Sequence, residues 1–351
     1  MHILIPILGF APQGGYRVLS QLANTWIRMG HDCTFLIPAT SADPYFPTNA
    51  HILRFDRKGH RSDRPSDARA SGMDNILSLA MGLRRVANDY DIILANHSLT
   101  AFPVRFFGGK KAKKLYYIQA YEPEYYKITE TPVKHVLARL SYFLNMNQIA
   151  NSDQYQGAGI RPVDVVRPGI DLSTFTFKEN TNEPRPKSTI TLGTIGRTEP
   201  YKGTQTAIEA YRILRRSNEH LWLNVGFGNV EPADDISITQ IKSDVELAAY
   251  YRSIDVLIVS CKGQHGAPHY PLIEAMASGT PVVHTDYYPG TDENSWPADG
   301  VDAPSIANRL QALLNTPQEI RDAKIKAARR LIENELSWDA VAKKFENHFY
   351  D

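Results

Sequence analysis

The sequence predicts an α/β protein of two doubly wound parallel sheets, on three observations. At 351 residues the chain exceeds what one hydrophobic core ordinarily supports, so two domains are expected. Short apolar, β-branched runs alternate with amphipathic segments, the pattern of strand–helix–strand units. That alternation pauses once, at the polar stretch 178–187 with Pro184 and Pro186, and then restarts, which marks an interdomain linker. The expected division is 1–177, 188–335 and a closing segment 336–351.

In the first half the runs 2–8, 33–38, 51–55, 91–95, 114–119 and 148–151 read as buried parallel strands, because a strand covered on both faces is apolar throughout rather than alternately. Between them, 19–29 places Leu19, Leu22, Ala23, Trp26 and Ile27 on one helical face. The stretch 133–144 does the same with Val133, Val136, Leu137, Leu140 and Leu144, and both faces are expected to point inward. The arginine-rich stretch 57–73 has no periodicity and reads as a mobile surface loop near a strand end. Beyond the linker, 189–194, 221–226, 255–260 and 281–284 are strand candidates, with helices near 203–216, 244–252, 271–278, 303–315 and 317–334.

Composition narrows the function classes. With 42% hydrophobic and 22% charged residues and no apolar run long enough to span a bilayer, an integral membrane protein is not expected. The apolar run at 2–8 lacks a basic leader and reads as a first strand, so a cytoplasmic location is expected. Cys33 and Cys261 are too few for a disulfide framework or a structural zinc site and read as small buried hydrophobes. Net charge is +1, yet residues 1–170 hold 20 Lys+Arg against 13 Asp+Glu and residues 171–351 hold 19 against 25. A basic first half suits peripheral contact with an anionic membrane or an acidic acceptor, and equally an ordinary solvated surface. There is no His/Cys ligand cluster, no P-loop and no nucleic-acid module, so no metal cofactor and no nucleic-acid partner are expected. The Lys110-Lys111-Ala-Lys113-Lys114 run reads as a solvated turn or as a membrane contact.

Ligands of open α/β sheets bind at the carboxyl ends of strands, so the loops there are informative. After the first strand come Gly14-Gly15 and a helix, where backbone amides could approach a phosphate or sugar, or where the chain merely turns tightly. In the second half a strand runs into Gly196-Arg197-Thr-Glu-Pro-Tyr-Lys202-Gly203, which sets two cations five positions apart ahead of a helix. A departing nucleoside diphosphate is a multiply charged anion that such a pair would stabilise. The strand 255–260 leads through a glycine-containing loop to an apolar helix with Glu274 in its first turn and Gly279 at its end. A carboxylate buried there needs donors, and paired ribose hydroxyls fit.

These motifs, with the strand 91–96 ending near His97, Arg167-Pro168-Gly169-Ile170-Asp171, the segment 274–283, and Leu336-Ser337-Trp338 before an amphipathic helix to Tyr350, resemble retaining glycosyltransferases of family four. The resemblance spans most of the chain. It implies the GT-B fold, two Rossmann-like doubly wound domains facing a central cleft, with the last helix returning to the N-terminal domain. It further implies Arg197 and Lys202 as diphosphate clamp, Glu274 as ribose ligand, Gly14 and Gly15 framing the donor, and His97 or its neighbour Asn96 facing the transferred sugar. Residues 265–274 would complete the donor site through His265, Gly266, Tyr270, Pro271, Leu272 and Glu274. One departure stands out: the family's second glutamate, eight positions before Glu274, is here Gly266. That removes the usual carboxylate contact to the donor sugar. The stretch 117–125, containing Tyr121, Glu122 and Tyr125, and His269-Tyr270-Pro271-Leu272 are similar to bacterial rhamnosyltransferases of surface-glycan assembly. That similarity places Tyr121 and Glu122 on the acceptor side, and the alternative for them is a packed aromatic turn with an exposed acid.

The function implied is transfer of a sugar, rhamnose from a thymidine diphosphate donor in the subgroup reading, to a glycan or lipid-linked acceptor with retention of configuration. Two rivals stay open: a nucleotide-sugar epimerase on the same fold, and a nucleotide-sugar binder without catalysis, which the Gly266 departure suits best.

Overall fold

The computed structural model describes residues 1–67, 69–153, 155, 163–177, 189–228, 230–231, 233–261 and 269–350. The chain forms two compact units, 1–169 with 338–351, and 170–337. Residues 178–187, expected as a linker, lie outside the described residues.

In the first unit the elements follow as β1 (His2–Pro6), α1 (Gly14–Arg28), β2 (Asp32–Pro38), β3 (His51–Phe55), β4 (Arg61–Ser62), α2 (Gly72–Val86), β5 (Ile92–Ala95), α3 (Ser98–Phe107), β6 (Lys113–Ile118), α4 (Pro132–Ser141), β7 (Asn147–Ala150) and β8 (Asp164–Val165). They give one sheet of order β4-β3-β2-β1-β5-β6-β7-β8, parallel apart from the antiparallel β3–β4 pair. Because side chains alternate across a strand, each strand feeds two layers. Ile3, Ile5, Leu94 and Tyr117 pack with α1 and the last helix of the chain (Trp338–Tyr350), whereas Leu4, Ile93, Ala95 and Tyr116 pack with α2 and α3. Trp26 anchors the first layer, with its ring 5.6 Å from Phe345 and 5.5 Å from Phe349. Its indole N–H donates to the Ala342 carbonyl at 3.4 Å.

Three sequence expectations change here. The first helix begins at Gly14 rather than Leu19, so Gly14 and Gly15 form its opening turn and are not a preceding loop. The loop 57–73 is partly ordered: Arg61–Ser62 adds an edge strand, Arg57 pairs with Asp74 at 3.0 Å, and Ser71 and Asp74 form a capping box at α2. On α4 the periodic stripe points the other way. Val133, Val136 and Leu140 are exposed, and Ala138 and Ser141 face the sheet instead. A 3.6-residue period identifies a face, but only the neighbouring elements decide which way it looks.

The second unit runs β9 (Ile190–Ile195), α5 (Thr204–Arg215), β10 (Leu221–Gly226), β11 (Ile236–Thr239), α6 (Asp244–Ser253), β12 (Val256–Val259), α7 (Tyr270–Ala277), β13 (Val282–His284), β14 (Trp296–Pro297), α8 (Ala303–Asn315) and α9 (Gln318–Leu331). Its sheet, β11-β10-β9-β12-β13-β14, is parallel throughout. Leu192, Val256 and Ile258 pack with α5 and α8, and Leu257 and Val259 pack with α6 and α7. Residues 170–177, expected in the first domain, belong here: Ile170 bridges to Ser337, and Phe175 is buried beside Tyr251. The closing helix, α10 (Trp338–Tyr350), returns the chain to the first unit. Cys33 and Cys261 are both buried.

Candidate functional site

In the second unit, the loop after β9 is held by small residues and hydroxyls. A Cβ at Gly196 would collide with the Gly228 carbonyl, so the chain can turn there only as glycine. The backbone N–H of Arg197 donates to Thr204 Oγ1 at 2.9 Å, and that hydroxyl lies between the carbonyls of Arg197 and Ile195 at 3.1 and 3.3 Å. Gly203 has φ +79°, which closes a 3₁₀ turn over Pro200–Lys202 and opens α5. Its carbonyl accepts from Ser260 Oγ at 2.6 Å, so the end of β12 holds the loop from the other side.

Arg197 and Lys202 thus sit on one braced loop at the head of α5. The Arg197 guanidinium is half exposed and pairs with Glu199 at 3.3 Å. The Glu199 carboxyl is held below its ordinary range by its own backbone N–H and by Arg197. Lys202 makes no ion pair among the described residues, and its ammonium lies 5.2 Å from the Tyr201 ring centre. Partial burial, and after it the repulsion of Arg197, pushes its pKa down.

His269, the residue capping α7, is buried beside this pair. Burial first, then the charges of Lys202, His284 and Arg197, push its pKa down to about 3. Among the described residues its Nδ1 has no hydrogen-bond partner. His269 is therefore a neutral imidazole beside two cations at physiological pH.

Tyr270 and Pro271 open α7, and Leu272 is fully buried. Glu274 is the fifth residue of α7, in its second turn rather than its first. It is buried and accepts from the Tyr251 hydroxyl at 2.9 Å. The carboxylate accordingly has a protein donor, and its burial does not by itself call for ribose hydroxyls. His265 and Gly266 lie outside the described residues.

His284 at the end of β13 is fully buried, with Nδ1 2.6 Å from the Thr285 carbonyl and Nε2 2.9 Å from Ser295 Oγ. Burial pushes its pKa down to about 4. A histidine held neutral in the fold contributes stability that is fully present above its unfolded value of about 6.5. That stability is lost as pH falls through the folded value. Between pH 6.5 and 4 the expected loss from His284 is about 3 kcal/mol. Urea unfolding across that range in wild type and His284→Gln checks it, and an unchanged pH slope in the variant would remove the assignment.

In the first unit, Asn96 and His97 follow β5. Asn96 Nδ2 donates to the Pro6 carbonyl at 2.7 Å, which ties the carboxyl ends of β5 and β1 together. His97 caps α3: its Nδ1 accepts from the Leu99 N–H at 3.0 Å, so Nε2 carries the proton of the neutral ring. That Nε2–H points at Glu122 Oε2, 3.3 Å away, with the Tyr126 hydroxyl at 3.5 Å.

Glu122 is not an exposed acid. It is buried, and its two oxygens accept from the Ser98 N–H at 2.9 and 3.0 Å and from Ser98 Oγ. Its own backbone N–H donates to the Tyr142 hydroxyl at 3.1 Å. Burial pushes Glu122 up to about 7, against the pull of the Ser98 bonds, and pushes His97 down to about 4. Both members of the pair are driven toward their neutral forms. Tyr16, Tyr116, Tyr126 and Tyr142 all have pKa values raised by burial and then by Glu122. Tyr121 stacks on Tyr142 at 6.0 Å, while Tyr125 is exposed.

At α1, no side chain caps the first turn, and a Cβ at Gly15 would meet the Gln119 amide at 3.5 Å. A cavity of about 360 Å³ opens at the ends of β2 and β3, with Arg57, Lys58, His60 and Arg69 on its walls beside Asp56 and Asp74.

The second unit thus brings Arg197 and Lys202 together and sets His269 beside them, and the first brings His97 onto Glu122. Neither Thr204 nor Ser98 was read from the sequence as part of a site, and His269 was named only within the segment 269–272. Thr204 carried a readable signal, a hydroxyl residue opening a helix directly after glycine. Ser98, whose bonds run to Glu122 on another crossover, carried none.

Residues 189–316 match the family described as glycosyl transferases group 1. The chain is 29% identical over 164 residues to a D-inositol 3-phosphate glycosyltransferase of Paenarthrobacter aurescens, which is 40% of this chain and 40% of that relative. It therefore spans well under half the length of that curated relative. Among solved structures it is similar to a sucrose-phosphate synthase from Thermosynechococcus elongatus, with TM-score 0.69, 16% identity, and 100% and 98% of the two chains covered. It is likewise similar to HepE of Anabaena, solved with UDP and glucose, with TM-score 0.68, 15% identity and 100% and 99% coverage. Likeness over the full length at such low identity shows the fold, GT-B, with its two parallel-sheet Rossmann-like domains.

Proposed function

We propose that the chain is a metal-independent retaining glycosyltransferase. It takes a sugar from a nucleotide diphosphate donor held on the second unit and passes it to a surface-glycan or lipid-linked acceptor. The observation that carries this reading is the pair Arg197 and Lys202 on one braced loop at the head of α5, with His269 neutral beside them. In the reaction the bond from the anomeric carbon to the diphosphate oxygen breaks and its electrons stay on the diphosphate. The acceptor oxygen bonds to the same face of the sugar, and the acceptor proton ends on the departing phosphate. Negative charge grows on the diphosphate oxygens, and two preorganised cations stabilise that growth. The family match over 189–316 supports the donor half, and similarity to a structure solved with UDP and glucose supports a nucleotide sugar.

On the first unit His97, its ring fixed by Leu99 and Glu122, is the group we assign to the transferred sugar. The basic walls of the cavity near β2 and β3 suit an acidic group on the acceptor. Rhamnose on a thymidine diphosphate is the donor that segments 117–125 and 269–272 favour. No helix among the described residues is long and apolar enough to cross a membrane, and a lipid-linked acceptor would be met by peripheral contact with an anionic inner membrane surface.

A turnover assay with a panel of nucleotide sugars and glycan acceptors, run with and without EDTA, tests the reading. Transfer that persists in excess chelator is expected. Loss on chelation with rescue by Mg²⁺ or Mn²⁺ would overturn metal independence. An epimerised sugar nucleotide without acceptor, or nucleotide binding without turnover, would replace the transferase by one of its two rivals.

A further inference from the structure

We infer that Phe227 is the stacking platform for the nucleobase of the donor. The inference rests on the donor placement proposed above and extends it from the diphosphate to the base. Phe227 follows β10 and has φ +68°, the one left-handed residue other than glycine among those described. Left-handed backbone crowds Cβ against the neighbouring carbonyl, and a residue with a bulky side chain is an outlier there. Glycine carries no such penalty, and it stands on both sides, at Gly226 and at Gly228 with φ +80°. A phenylalanine between them runs against the preference of the backbone.

Packing the ring into a core does not account for the strain. Phe227 is 39% exposed and belongs to neither hydrophobic layer of the second unit. Its neighbours fix the backbone instead. The Phe227 N–H donates to the Thr239 carbonyl at 2.9 Å, and the Gly226 carbonyl accepts from the Gly196 N–H at 2.8 Å. The Gly228 carbonyl lies against Gly196, where it leaves no room for a Cβ. Residue 227 is thus pinned to the end of β11 on one side and to the Arg197 loop on the other. Strained residues persist where their surroundings over-determine them, and they gather where ligands bind.

Placement says which ligand. Ligands of an open parallel sheet lie over the carboxyl ends of its strands, and β10 is the neighbour of β9 there. Adjacent strands are about 4.8 Å apart, so an aromatic residue at the end of β10 stands one strand away from the loop with Arg197 and Lys202. A nucleotide whose diphosphate rests on that loop carries its base one ribose away. The base is a flat ring, and an aromatic side chain matches it face to face. Every base has such a face, so the contact holds a nucleotide without choosing among bases.

Calorimetric titration of the full chain with uridine diphosphate, thymidine diphosphate and inorganic pyrophosphate tests the inference. Phe227→Ala should weaken both nucleotides roughly 5- to 150-fold and leave pyrophosphate affinity unchanged. Phe227→Tyr should keep wild-type nucleotide affinity, whereas Phe227→Leu, apolar but without a ring face, should not. Phe227→Gly separates the platform from the backbone. Relief of the left-handed strain should raise its unfolding midpoint above that of Phe227→Ala, yet its nucleotide affinity should stay as low. In Phe227→Trp the emission should change on adding either nucleotide and not on adding pyrophosphate. Wild-type nucleotide affinity in Phe227→Ala, or an equal loss for pyrophosphate, would overturn the inference and leave the diphosphate site standing. So would full affinity in Phe227→Leu. A wild-type chain that binds neither nucleotide nor pyrophosphate would remove the donor placement itself, and the inference with it.

Discussion

Replacing Arg197 or Lys202 by alanine is expected to lower kcat on the order of 10²–10³, with a smaller change in the affinity of an uncharged acceptor. The reason is differential: the diphosphate carries more charge on its bridging oxygen as it leaves than it does in the bound donor, so a fixed cation contributes more to the transition state than to the ground state. Thr204 and Ser260 hold the loop in place, so the cations need little reorganisation when charge develops. The two variants should differ. Lys202 makes no ion pair among the described residues, whereas Arg197 pairs with Glu199 at 3.3 Å. Arg197→Ala therefore also leaves the Glu199 carboxylate uncompensated next to an anionic ligand, and it should be the more damaging change. Glu199→Gln, which releases Arg197 from that pair, should tighten binding of a free nucleoside diphosphate. Steady-state rates with saturating acceptor and calorimetry with nucleoside diphosphate measure both effects. Near wild-type kcat in both alanine variants would eliminate the clamp.

Glu274→Gln is expected to weaken donor binding roughly 10- to 150-fold, because charge-assisted bonds of about 1.5–3 kcal/mol to ribose hydroxyls would be lost. Free nucleoside diphosphate should lose the same factor, since the contact does not involve the sugar. A thymidine nucleotide has only its 3′-hydroxyl for this contact, and its loss should fall toward the low end. Tyr251 supplies the control. Its hydroxyl donates to Glu274 at 2.9 Å, and the glutamine carbonyl can still accept that bond, so the variant should fold. Tyr251→Phe removes the same bond without touching a ribose contact. If Glu274 serves only the core, Tyr251→Phe and Glu274→Gln will both lower the unfolding midpoint and leave nucleotide affinity alone. Gly266→Glu, at the other end of the donor, should alter preference among sugars while sparing nucleoside diphosphate affinity. Loss of nucleotide binding in that variant with none in Glu274→Gln would reverse the proposed placement of the donor.

Much of the fold was legible because it is written locally. Buried parallel strands are apolar along their length, crossover helices repeat every 3.6 residues, and glycine must stand where the chain turns too tightly for a side chain, as at Gly196 and Gly203. Those signals located both sheets, the α5 loop with Arg197 and Lys202, and the helix that carries Glu274. The two-residue strands β4, β8 and β14 and the four-residue β11 escaped notice, since runs that short have little or no period to detect.

What only tertiary structure decided is which residues meet and which way a face looks. Glu122 and His97 lie 25 positions apart on different crossovers, and their contact depends on β5 and β6 being neighbours in the sheet. Glu274 acquires Tyr251 from α6 in the same way, across the packing of two helices. The stripe on α4 shows the limit most plainly. Its spacing determined that Val133, Val136 and Leu140 share one face, but burial is a property of neighbours, and those of α4 cover Ala138 and Ser141 instead.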